Sequence, residues 1–176
     1  MTEDELLQLI EQAAREEWTE LDLSDNNLTV LPPDIGKLTS LQWLNLKDNQ
    51  LQELPVKIGQ LSSLQWFALS GNYIQALPDQ ILQLTSLEYL DISLNNIQEL
   101  PPEIVRLTRL QDLYLGGNDI QELPPEIQQL PNLKKLDLRG NPLPIPPEIL
   151  EGKQLMIRFK LCYPIPNQTN TYIAEQ

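Results

Sequence analysis

The stretch Leu87-Glu88-Tyr89-Leu90-Asp91-Ile92-Ser93-Leu94-Asn95-Asn96-Ile97-Gln98-Glu99-Leu100-Pro101-Pro102-Glu103-Ile104-Val105-Arg106-Leu107 decides the fold, because its pattern returns every 23 residues along the chain. A shift of 23 brings Leu41, Leu64, Leu87, Leu110 and Leu133 into one column, with Trp18 one period earlier. A fixed period of this length is the mark of stacked repeats. Six units follow, over 18–40, 41–63, 64–86, 87–109, 110–132 and 133–152.

Each unit changes period part-way. Its first residues alternate apolar with polar, as in Leu21, Leu23 and Leu113, Leu115, which is the spacing of a half-buried strand. Its later apolar residues, such as Leu123, Ile127 and Leu130 behind Pro124 and Pro125, fall at spacings of four and three, as a short helical or 3₁₀ turn places them. One strand and one turn cannot bury their apolar faces alone, so the units must stack. The expected fold class is an α/β solenoid, a right-handed superhelix with a concave parallel β-sheet, short 3₁₀ or helical convex segments, and a helical cap at each end.

The ninth position of every unit is asparagine: Asn26, Asn49, Asn72, Asn95, Asn118 and Asn141. An inward amide both donates to and accepts from backbone groups that lose their sheet partners where the chain turns, so these residues are expected to form a buried ladder. The open ends of a solenoid need covering. Thr2 and Glu5 have capping-box spacing, and Leu6, Leu7, Ile10, Ala13 and Ala14 form one apolar face, so residues 1–17 are expected to be a front cap helix. Residues 149–176 are expected to form the back cap and tail, with a helix over Ile149 to Phe159.

The unit with Leu100-Pro101-Pro102-Glu103-Ile104 and Leu123-Pro124-Pro125-Glu126-Ile127 resembles the leucine-rich repeats of Roco proteins, Scribble-like scaffolds and plant intracellular Ras-group repeat proteins. The resemblance covers roughly residues 18–150. Thr2-Glu3-Asp4-Glu5-Leu6-Leu7 and Ala13-Ala14-Arg15-Glu16 look most like the front cap of bacterial Roco-type arrays. The resemblance implies a curved solenoid that binds proteins on its concave sheet. In Roco proteins such an array precedes a GTPase and influences its regulation or dimerisation; this chain departs from that arrangement by carrying no GTPase after the repeats.

Strand neighbours in a parallel sheet lie about 4.8 Å apart, so outward positions form rows across the face. The third-position row reads Glu20, Trp43, Trp66, Tyr89, Asp112, Lys135, and the fifth reads Asp22, Asn45, Ala68, Asp91, Tyr114, Asp137. Outward positions are usually polar, yet Trp43, Trp66, Tyr89 and Tyr114 occupy successive units, and Leu94 adds an apolar side chain nearby. Tryptophan and tyrosine are the types enriched in binding hot spots. Asp91, Asp112 and Asp137 border this patch, with Lys47, Lys135 and Arg139 interrupting it. The expected partner is a protein offering an apolar anchor flanked by basic groups. The competing reading is that the rings only support the sheet, since cross-strand aromatic pairs contribute about 0.2–1 kcal/mol without any ligand.

Composition narrows the function. Twelve basic against 25 acidic residues give a formal charge of −13, which argues against nucleic acid and anionic membranes as partners. No apolar run approaches the roughly 18 residues of a span, and Met1 leads into Thr2, Glu3, Asp4 and Glu5, so a cytoplasmic location is expected. With no histidine and one cysteine, Cys162, no metal site, cofactor or catalytic centre is expected, and Cys162 beside Leu161 and Tyr163 reads as a packed thiol. The chain is therefore expected to be a non-enzymatic protein-interaction module in intracellular signalling or scaffolding. The alternative is a self-associating, homodimeric solenoid related to Roco GTPase regulation.

Overall fold

The computed structural model describes residues 1–143, 158–162 and 171–175. The chain opens with helix α1 (Glu3–Arg15). Thr2 Oγ1 accepts the Glu5 N–H at 3.2 Å, and Glu5 Oε2 accepts the Thr2 N–H at 2.7 Å, so two of the helix's orphan donors are satisfied reciprocally. Glu3, Asp4 and Glu5 in the first turn and Arg15 in the last suit the helix dipole. Leu6, Ile10 and Ala13 are buried, and Leu9 with Ala14 packs half-buried against the same core. Leu9, not the expected Leu7, flanks this face, since at 100° per residue it lies nearer the Leu6–Ile10–Ala13 line. Glu17 ends the helix in the left-handed region, and the Trp18 N–H turns back to the Ala13 carbonyl at 2.9 Å.

Six three-residue strands follow, one per coil: β1 (Glu20–Asp22), β2 (Trp43–Asn45), β3 (Trp66–Ala68), β4 (Tyr89–Asp91), β5 (Asp112–Tyr114) and β6 (Lys135–Asp137). All pair in parallel with no stagger, as in Trp43↔Trp66↔Tyr89. The middle residue of each, Leu21, Leu44, Phe67, Leu90, Leu113 and Leu136, faces the core, and its two neighbours face outward.

On the far side run five 3₁₀ segments, Pro33–Lys37, Val56–Gln60, Asp79–Gln83, Pro102–Arg106 and Pro125–Gln129. Each is preceded by an extended proline whose carbonyl takes the N–H of the isoleucine three residues on, at 2.9 to 3.1 Å. Proline sets the direction of entry, and the isoleucine it positions is buried. Strand leucines, turn isoleucines and the helix face merge into one core running from Leu6 to Leu143. This is the stacking that the period demands.

The back of the array corrects one expectation. Of the cap helix expected over Ile149 to Phe159, residues 149–157 lie outside the described residues, and Arg158 and Phe159 open a strand, β7 (Arg158–Cys162). Strand β8 (Thr171–Glu175) pairs antiparallel with both β7 and β6, which gives an eight-stranded sheet in the order β1-β2-β3-β4-β5-β6-β8-β7. The physical reason lies in β6: its outer edge presents unpaired N–H and C=O groups, which a strand satisfies directly and a helix does not.

Candidate functional site

The asparagine column fixes the geometry of the sheet face from below. Asn95 Oδ1 accepts the Ile74 N–H at 3.0 Å, while its Nδ2 donates to the carbonyls of Leu69 (3.0 Å), Ile92 (3.1 Å) and Ser93 (3.0 Å). Asn72, Asn118 and Asn141 repeat this with one N–H accepted and two carbonyls reached, and Asn49 accepts from both Asn26 and Leu28. These five are buried. Asn26, in the first coil, is half-buried and its side chain reaches only the Ser24 carbonyl at 2.8 Å.

Above that scaffold the unstaggered register sets strand neighbours side by side, and the rings on them stack. Trp43 and Trp66 lie 4.6 Å apart at 13°, and Trp66 and Tyr89 4.9 Å apart at 10°. Tyr114, diagonal to Tyr89, continues the row at 5.3 Å with a 43° tilt. All four are half-buried, on the sheet face and not between coils. Stacked rings spend their faces on one another and turn their edges outward. Among the described residues, the indole N–H groups of Trp43 and Trp66 and the hydroxyls of Tyr89 and Tyr114 take no hydrogen bond, so the edge row carries free polar tips along an apolar stripe. The Tyr89 hydroxyl is pushed up to about 12 by burial, and further by the charges of Asp91, by Tyr114 and by Asp112. It therefore stays protonated and able to donate.

The charges expected to border the row are more spent than their sequence positions suggest. Lys135 sits 3.7 Å from Asp112, and Arg139 makes a bidentate pair with Asp137 that raises the guanidinium further above its ordinary value. Both pairs are local, from the next strand or two residues along. The Asp91 carboxylate accepts the Ser93 N–H (3.0 Å) and hydroxyl (2.6 Å) yet has no cation, and Lys47 has no ion pair among the described residues.

Two features escaped the sequence reading. In the first, second, fourth and sixth coils the fifth-position side chain accepts the N–H two residues on: Asp22 from Ser24, Asn45 from Lys47, Asp91 from Ser93, Asp137 from Arg139. Ala68 interrupts this, and the buried Ser70 Oγ is left with no partner. The second is the backbone of Leu94, a residue already expected near the row, which holds a positive φ of 53°. On another edge, Gln75, Gln98, Gln121, Glu99 and Glu122 line an open depression, as a solvated edge does. Among the described residues there is no cluster of His, Cys, Asp and Glu able to hold a metal, and no helix is long and apolar enough to cross a membrane.

The family model described as Leucine rich repeat matches residues 17–74, 62–120 and 85–143. No curated protein sequence matches the chain. Among solved structures, a leucine-rich repeat protein of Leptospira interrogans is 44% identical with a TM-score of 0.74, covering 82% of this chain and 35% of its own. The repeat ectodomain of the Arabidopsis thaliana membrane receptor kinase GASSHO1/SCHENGEN3, solved in complex with Casparian strip integrity factor 2, is 32% identical with a TM-score of 0.69, over 79% of this chain and 18% of its own. An internalin from Listeria monocytogenes shares the fold at 22% identity and a TM-score of 0.69, over 82% of this chain and 40% of its own. The chain thus spans well under half the length of each. These matches give no support to the Roco and Scribble kinship expected from the sequence. The leucine-rich repeat model covers most of the chain, and on that ground the chain belongs to the leucine-rich repeat family.

Proposed function

We propose that this chain is a protein-recognition module that seats a partner across the ring row on its sheet face. The observation that carries the reading is the continuous stack of Trp43, Trp66, Tyr89 and Tyr114, four large rings in successive coils at positions that face out of the fold. Half-buried and stacked, the rings expose their edges, and those edges form one apolar stripe across four coils of the kind that marks interaction sites. The partner we infer offers an apolar anchor flanked by basic groups, because Asp91 and Glu20, both beside the row, have no ion pair among the described residues. The plant receptor ectodomain, solved in complex with Casparian strip integrity factor 2, supports this class of ligand. A cytoplasmic signalling or scaffolding setting rests on the sequence pattern alone.

The test is a double substitution, Trp66→Ser with Tyr89→Ser. Partner capture is lost while thermal stability changes little. A large loss of stability with capture intact means the rings serve the sheet alone.

A self-associating solenoid is the second reading, favoured by β7, which among the described residues pairs on one side only. Light scattering over a range of concentrations decides it, since a mass that stays monomeric removes this reading. A role beside a Roco-type GTPase draws on the sequence resemblance alone.

A further inference from the structure

The eighth residue of each coil turns the chain out of its strand through the left-handed region: Asp25, Asp48, Gly71, Leu94, Gly117 and Gly140 have φ between 53° and 72°. Glycine adopts this conformation freely and aspartate tolerates it, whereas leucine is penalised by its Cβ. Leu94 does not recover that penalty by burial, for it is 62% exposed. It stands between two glycines, and its Cδ2 leans over Gly117, where an added Cβ would come within 2.8 Å of it. Its N–H is tied to the Gly116 carbonyl at 2.7 Å, so an apolar peg projects from an anchored backbone. Gly116 lies two residues after Tyr114, so the peg is anchored to the coil that carries the tyrosine end of the ring row. One coil earlier on the same rim, Tyr73 is 57% exposed.

A leucine held in a strained conformation with most of its surface exposed points to a function outside its own fold. A projecting peg needs a recess, and an extended peptide has no recess to offer; a folded domain has. The charge nearby sets the edge of that recess: Asp91 and Asp48 have no ion pair among the described residues and outnumber the one unpaired cation there, Lys47, whereas Lys135 and Arg139 are held by their own carboxylates. We propose that Leu94 is the peg on which a folded protein domain docks, through an apolar recess edged by basic side chains. The proposal rests on the reading that the adjoining ring row is the partner face, and it names the kind of partner.

The experiment uses the full chain with a benzophenone amino acid in place of Tyr73, an exposed residue of the coil before the peg, to cross-link its partner in lysate. The partner and its cross-linked residues are identified by mass spectrometry. Its affinity is then measured for the parent chain, Leu94→Asn, Leu94→Met and the Trp66→Ser/Tyr89→Ser variant. Asparagine suits the left-handed backbone but removes the peg, so it raises the melting temperature by about 2–4 °C and weakens binding about tenfold or more. Methionine keeps an apolar peg and binds within about threefold of the parent. The cross-links fall beside an apolar recess of a folded domain. Unchanged binding by Leu94→Asn, cross-links only to a second copy or to an unfolded segment, or no cross-link at all each overturn the proposal. If the ring variant alone loses binding, the ring face stands and the peg falls; if neither variant loses it, both fall.

Discussion

Asn95 reaches back one coil to accept the backbone N–H of Ile74 through its Oδ1, at 3.0 Å, and so fastens the fourth coil to the third. Asn95→Ala leaves that N–H without a partner inside the core and takes one of two amide donors from each of the Leu69 and Ile92 carbonyls, which keep Asn72 and Asn118. The expected cost is at least about 2 kcal/mol. Asn26→Ala removes one side-chain bond at a half-buried position and costs under about 1 kcal/mol. Urea denaturation of the two variants checks this; equal losses would contradict a ladder that ties coil to coil.

Ser70 offers a test in the opposite direction. Its buried hydroxyl is orphaned because Ala68 stands where Asn45 and Asp91 place an acceptor. Ala68→Asn supplies an oxygen without setting another carboxylate beside Asp91, and is expected to stabilise the chain by about 1 kcal/mol. Thermal unfolding measures it. A destabilised variant would show that the space at Ala68 does not admit the amide.

Tyr89 makes a prediction in pH. Its hydroxyl titrates at about 12 in the folded chain against 10.0 ordinarily, chiefly through burial. The stability linked to this shift is complete below the ordinary value and is lost as pH rises from there through the folded one. The stability difference between the parent chain and Tyr89→Phe is therefore expected to move against the parent between pH 9 and pH 12. Denaturation series at both ends of that window give the slope, and a difference that stays constant refutes it.

At the front, Thr2→Ala removes the acceptor for the Glu5 N–H and half of the capping box. The expected loss is about 1 kcal/mol, felt first in α1. Amide exchange of the first helical turn should speed up while the strand amides of β3 and β4 are unaffected. Uniform acceleration along the chain would show that the helix and the coils open as one unit.

Much of this molecule could be read from residues alone. Six coils, one strand in each, the inward column of asparagines and the order of both outward rows all follow from a period that leaves no choice of register. Side-chain conformation was not legible, because periodicity fixes which Cα atoms are neighbours but not how rings tilt or which carboxylate a lysine selects. Thus Trp43 and Trp66 could be placed side by side, but not face to face at 4.6 Å, and Lys135 could be set near the row without its attachment to Asp112. The orphaned Ser70 did leave a trace, since Ala68 breaks a column of Asp and Asn. At the back of the array the helix expected over Ile149 to Phe159 gives way to a strand at Arg158, because Arg158, Phe159, Lys160 and Leu161 alternate with the period of the strand they form.

The zero stagger between strands has an evolutionary meaning. A surface laid down one coil at a time can also be edited one coil at a time. Excising residues 64–86 would set Tyr89 directly against Trp43, with Asn95 inheriting the place of Asn72, and yield a shorter molecule with a new face and an unbroken interior. In such an architecture, duplication and loss of coils can change specificity without each new face having to solve the folding problem again.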